Sequence, residues 1–300
     1  MNPRGITRRR ALLGATAGAL AVAGGGLELI DQGVLPGKRW LDRIDGACDV
    51  STPPELSVAP GVERSGSFFS HARGREVGYT LAYPPGHGPG DALPLALVLH
   101  AFGGDHSSGY GGMTLAAALA TRLKSAPARR PFALVAADGG EIYWNRHPGD
   151  DPMAMLTGEL VPLCRRLGLG GERVGVTGIS MGGYGALLAG EQHPSLISAV
   201  AAISPAVWTS YAQARAANRD AYTSAAAFAR DDVVTNAGRL AGIPTRVASG
   251  SGDPFYPGVQ ALVARLPASG RAVLGSGCHD GSFFASQRSA SLDFLAAHIG

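Results

Sequence analysis

The chain has 300 residues, 45% of them hydrophobic and 16% charged, with 44 glycines and three cysteines. Its formal charge of +3 comes from 26 cations against 23 acids, but residues 1 to 23 carry Arg4, Arg8, Arg9 and Arg10 and no acid, so the remainder stands at 22 against 23. That near-neutral balance, with no basic run longer than Arg129-Arg130 or Arg165-Arg166, excludes nucleic acid as a partner.

In chain order, Thr7-Arg8-Arg9-Arg10-Ala11-Leu12-Leu13 precedes a glycine-rich apolar stretch ending at Ala21-Val22-Ala23. This pattern predicts a twin-arginine export signal over residues 1–23, the apolar stretch being too short for a membrane span. The mature protein is then expected outside the cytoplasm, having folded before it leaves. Residues 24–66 lack periodicity and read as an N-terminal arm, with a short helix around Leu35 to Ile44. From Ser67 to the end the pattern is that of one α/β domain. Strand-length apolar runs occur at 77–83, 95–100, 132–137, 173–178, 199–203, 245–248 and 271–274. Helical patterns fall at 114–124, 152–167, 181–192, 259–266 and 283–298. Such alternation predicts a mostly parallel central sheet with helices on both faces and its chemistry at the carboxyl ends of the strands. Residues 205–236 interrupt the rhythm as a short helical insertion carrying Trp208, Tyr211, Tyr222 and Phe228, which is expected to form one wall of a substrate pocket.

The chemistry is carried by Gly178-Ile179-Ser180-Met181-Gly182, set between a strand run and a helical run. A serine hydroxyl is a weak nucleophile, so it must be exposed at a sharp strand-to-helix turn beside a base. In a chain with 44 glycines this pentapeptide acquires weight only from an acid and a base placed downstream of it. Asp253 follows the 245–248 strand through Ser249-Gly250-Ser251-Gly252, and His279 follows the 271–274 strand through a second Gly/Ser turn. The order Ser180, Asp253, His279 is that of a parallel-sheet serine hydrolase. Asp231, Asp232 and Asp280 are the rival acids. Backbone amides that could hold an oxyanion are those of Met181, directly after the serine, and Phe102, in the loop His100-Ala101-Phe102-Gly103-Gly104-Asp105. His100 is expected to brace that loop.

No Cys/His spacing fits a zinc site, and no metal or other cofactor is expected. Cys164 shares a helical face with Leu156 and Leu160 and reads as a buried thiol. Cys48 and Cys278 are the pair open to oxidation, although folding in a reducing cytoplasm favours free thiols.

Several segments together carry a family resemblance: Leu99-His100-Ala101-Phe102-Gly103-Gly104, Met155-Leu156-Thr157-Gly158-Glu159-Leu160, Gly178 through Gly185, Ser204-Pro205, Gly252-Asp253-Pro254-Phe255 and Cys278-His279-Asp280. From about Arg75 to His298 the chain resembles the esterase D and antigen 85 family of α/β-hydrolases. That resemblance implies hydrolysis of a small-molecule or lipid carboxylic ester through an acyl-serine. It also implies, as the alternative, acyl transfer to a cell-envelope lipid or sugar hydroxyl in an exported actinobacterial member. Mycolyltransferases commonly carry glutamate where Asp253 stands, and their sugar-binding residues find no match here, so the esterase branch is the expectation.

Overall fold

In a computed structural model of the chain, residues 47–50, 56, 58–108, 115–125 and 130–299 are described. The expected signal and the 35–44 helix lie outside these residues. The chain divides into Met1–Asp49 and Val50–Gly300, and all the described strands and helices belong to the second unit.

Eight strands form one sheet: β1 (Glu63–Ser70), β2 (Arg75–Ala82), β3 (Leu95–Leu99), β4 (Ala133–Ala137), β5 (Val174–Ile179), β6 (Ile197–Ile203), β7 (Thr245–Gly252) and β8 (Gly270–Cys278). Their spatial order is β1-β2-β4-β3-β5-β6-β7-β8. β1 and β2 pair antiparallel, β2 pairs antiparallel with β4, and all other neighbours are parallel. The sequence pattern assigns Glu63 to Gly66 to the N-terminal arm, whereas they open β1. This strand is not legible in sequence because most of its residues are serine, glycine or charged and partly exposed on both faces.

The inner strands are fully buried, and their side chains alternate between two cores as a pleat requires. Leu95, Leu97 and Leu99 face one core, while Ala96 and Val98 face the other. The connecting helices are α1 (Leu115–Ser125), α2 (Pro152–Met155), α3 (Val161–Arg166), α4 (Met181–Gln192), α5 (Tyr211–Ala217), α6 (Ala225–Asp231), α7 (Tyr256–Val263) and α8 (Gly281–Ala296). A π-helical turn, Leu156–Leu160, joins α2 to α3 in the stretch the periodicity predicts as one helix. Its Glu159 carboxylate accepts hydrogen bonds from Ser70 Oγ and, at 3.1 Å, from the Ala72 amide, so the turn is fastened to the β1–β2 hairpin. The predicted insertion is made of α5 and α6, whose N-caps Ser210 and Ser224 each accept from the amide three residues on.

Cys164 is a free, buried thiol, which burial pushes up to about 12. Cys48 and Cys278 are each disulfide-bonded, contrary to the expectation of free thiols. That expectation rested on compartment alone, which does not fix the state of a given cysteine pair.

Candidate active site

The nucleophile candidate sits where β5 ends and α4 begins. Ser180 has φ 56° and ψ −117°, a left-handed backbone that presents its hydroxyl above the sheet. The turn is tight enough to exclude side chains on both flanks. A Cβ on Gly182 would stand 1.9 Å from the Leu99 carbonyl oxygen, and one on Gly178 would stand 2.3 Å from the Gly182 carbonyl group. Glycine is therefore required at both places. The elbow is held by three main-chain bonds: Ser180 N–H to Ile203 O, and the amides of Tyr184 and Ala206 to Ser180 O, each at 3.0 Å.

The other two residues come from neighbouring strand ends. In the β7–β8 pairing Gly252 lies opposite Cys278, so the next residues, Asp253 and His279, emerge side by side. His279 Nδ1 lies 2.8 Å from Asp253 Oδ2, and its Nε2 lies 2.9 Å from Ser180 Oγ. A carboxylate can only accept, so Nδ1 carries the proton and donates it, leaving Nε2 to accept the serine O–H. Asp253 is buried, and its other oxygen accepts the Phe255 amide at 2.8 Å. The imidazole stands edge-on between Phe255 and Phe284, at 5.2 and 5.1 Å between centroids. An imidazole so placed can take the serine proton as Oγ attacks and return it to a leaving group.

The rival acids are engaged elsewhere. Asp280 caps α8, accepting the amides of Ser282 and Phe283 at 3.0 and 3.1 Å. Asp231 pairs with Arg230, and Asp232 closes its own turn on the Val234 amide and the Thr235 hydroxyl.

Met181 is the first residue of α4, so its N–H has no acceptor within the helix and points with the helix dipole toward the elbow. Phe102 is the second residue of a turn closed by Gly104 N–H to Ala101 O at 3.0 Å, with Gly103 at φ 74°. The turn makes no use of the Phe102 amide. His100 fixes this loop from beneath. Its Nδ1–H donates to Ala101 O at 2.8 Å, and its Nε2 accepts the Gly139 amide at 2.8 Å. Burial lowers its pKa, which keeps the ring in the neutral form that this pair of bonds needs. Asp138, at the end of β4, adds a second brace by accepting the amides of His106 and Gly78 at 2.8 and 3.0 Å.

Rings continue from the site along one wall: Phe102 to Tyr143, Tyr143 to Trp208, and Trp208 to Phe255, at 6.5, 5.0 and 5.6 Å between centroids. Trp208 comes from the insertion, as the sequence suggests. Tyr143 and Phe284 carry no sequence signal that singles them out. Tyr143 and Trp144 both have positive φ, 56° and 58°, with no glycine to announce the bend.

A mostly parallel sheet with a serine elbow after β5, an acid after β7 and a histidine after β8 defines an α/β-hydrolase. The chain belongs to the Esterase family, whose model matches residues 70–267, and is an ester-hydrolysing enzyme. No curated protein sequence matches it. Among solved structures it is similar to a ferulic acid esterase, with TM-score 0.65 and 18% identity over 80% of this chain and 99% of that one. An S-formylglutathione hydrolase from Agrobacterium tumefaciens gives 0.62 and 16%, covering 84% and 99%. A fluorophosphonate-binding serine hydrolase from Staphylococcus aureus gives 0.61 and 14%, covering 79% and 99%. At these identities the likeness is one of fold.

Proposed function

We propose that the protein is an exported serine carboxylesterase acting through an acyl-serine. The observation that carries this reading is the single imidazole that joins Ser180 Oγ to the Asp253 carboxylate. Ser180 Oγ attacks the ester carbonyl carbon while its proton passes to His279 Nε2, and Asp253 stabilises the imidazolium. The Phe102 and Met181 amides hold the oxyanion, an arrangement in which one donor is worth about 10²–10³ in rate. Collapse breaks the bond to the alkoxide, which takes the His279 proton and leaves as the alcohol. Water then repeats the sequence on the acyl-serine and releases the acid. The aromatic wall from Phe102 to Phe255 suits an apolar small-molecule or lipid ester.

A fluorophosphonate probe is expected to label Ser180, and Ser180→Ala to abolish both labelling and ester cleavage, with a loss of at least about 10⁴ in kcat. Ester cleavage by the alanine variant at wild-type rate would overturn the reading. Mass spectrometry of products from an ester series, with and without sugar or lipid hydroxyl acceptors, separates hydrolysis from acyl transfer. Export rests on Arg8-Arg9 and the weakly apolar stretch behind them. Replacing both arginines with lysine should leave an unprocessed precursor in the cytoplasm, and undiminished extracytoplasmic protein would refute that route.

A further inference from the structure

Beside the far half of α4 lies a cavity of about 390 Å³, within the range of small-molecule sites. It reaches Gln192, eleven residues along the helix from Met181 and so about 16 Å from the elbow. None of Ser180, Asp253 and His279 lines it. Through Arg146, Asp151, Ala154 and Arg230 it continues into an opening of about 550 Å³.

Trp144 lines this cavity, is wholly buried, and has no hydrogen-bond partner for its indole N–H among the described residues. An indole nitrogen can only donate, and a buried donor without an acceptor is rare. The ring is pinned at both ends. Its six-membered rim fills the space beside Gly139, where a Cβ would meet it at 2.3 Å, and its Cδ1 side fills the space beside Gly185, at 2.5 Å. It therefore has no freedom to seek an acceptor elsewhere, and the cavity must supply one.

The remaining lining selects the ligand. Arg230 stands 2.5 Å from Asp231, and Arg146 stands 3.8 Å from Asp151, so each cation is matched by a carboxylate and neither an anion nor a cation meets unopposed charge. Burial lowers the His193 pKa and keeps that ring neutral. Donors thus alternate with acceptors around a neutral, polar space, while Met153 and Leu188 supply an apolar strip. A hydroxyl group both donates and accepts, and a sugar ring presents hydroxyls at its rim and C–H groups on its face. We propose that this cavity is a second ligand site, binding a neutral mono- or disaccharide unit with a sugar oxygen accepting the Trp144 Nε1–H. The site stands independently of the esterase mechanism. Together the two would let the enzyme hold a glycan while the serine works on an ester elsewhere on it.

The test is an NMR titration of the ¹⁵N-labelled full chain with methyl glucoside and maltose, using glucuronate, glucosamine and cyclohexanol as controls. The indole signal of Trp144, identified by its loss in Trp144→Phe, should shift saturably at millimolar neutral sugar. Arg146→Ala, at an exposed position, should weaken binding at least about tenfold while leaving aryl-ester hydrolysis unchanged. Should Trp144→Phe fail to fold, Arg146→Ala and Thr157→Val carry the test, since the indole signal that responds in the wild type must lose its response in both. The proposal is overturned if no indole signal moves with any sugar, which would mean water alone fills the cavity. It is equally overturned if glucuronate, glucosamine or cyclohexanol binds more tightly than the neutral sugars, or if Arg146→Ala binds as the wild type does.

Discussion

At Ser180 the backbone holds a conformation that costs a serine about 1–3 kcal/mol, and the bonds to Ile203, Tyr184 and Ala206 keep it there. The same economy of position separates the two aspartates around the base. Asp253 and Asp280 both lie close to His279 in space or sequence, yet one orients the ring and the other caps a helix. Asp253→Asn should cut kcat by about 10³–10⁴ through loss of the correct tautomer, with little change in melting temperature. Asp280→Ala should do the reverse, costing about 0.5–2 kcal/mol of stability with kcat within a few-fold of wild type. Steady-state kinetics alongside thermal melts decide it, and a reversed pattern would assign the acid to Asp280.

Helix α4 carries opposite burdens at its two ends. Its first turn faces the reacting centre, while Glu191 near its last turn is buried with neither carboxylate oxygen hydrogen-bonded among the described residues. Burial pushes Glu191 up to about 9, from an ordinary value of 4.5. The folded state thus binds a proton that the unfolded state releases, so this residue's contribution is fully present below about pH 4.5 and is lost as pH rises through about 9. Each pH unit in that window removes about 1.4 kcal/mol at most. Glu191→Gln should therefore raise stability clearly at pH 8 and hardly at pH 5 in denaturant melts, and an equal gain at both would refute the assignment. The strands show what sequence can convey at this scale. β3 to β6 are buried on both faces and announce themselves as continuous apolar runs. β1, and the second half of β8 with its Gly275-Ser276-Gly277, pair through main chain alone and leave no apolar signature. The site was legible wherever chain order constrains it, at Ser180, Asp253 and His279, since the turn after a given strand can end in few places. Tyr143 and Trp144 were not, because their left-handed backbone is set by packing against His100, Trp208 and Gly185 and by nothing local.

Across the molecule, the residues that must meet are spread over β5, β7 and β8, and these strands do not share one environment. β5 is buried throughout, whereas β8 is the last strand in the sheet, exposed over most of its length, and among the described strands it pairs with β7 alone. An outer strand with little apolar cover opens at a lower free energy than the core it flanks. Because His279 follows directly on β8, such an opening withdraws the base while Ser180 stays in place on the intact centre. Heated slowly, the enzyme should fall silent several degrees before its circular dichroism changes, and recover fully on cooling from that interval. Coincident loss of activity and ellipticity would show instead that the outer strand and the centre melt as one cooperative body. The enzyme's working range would then be set by the tenacity of its margin, and stabilising substitutions placed in β8 would extend that range further than any made in the core.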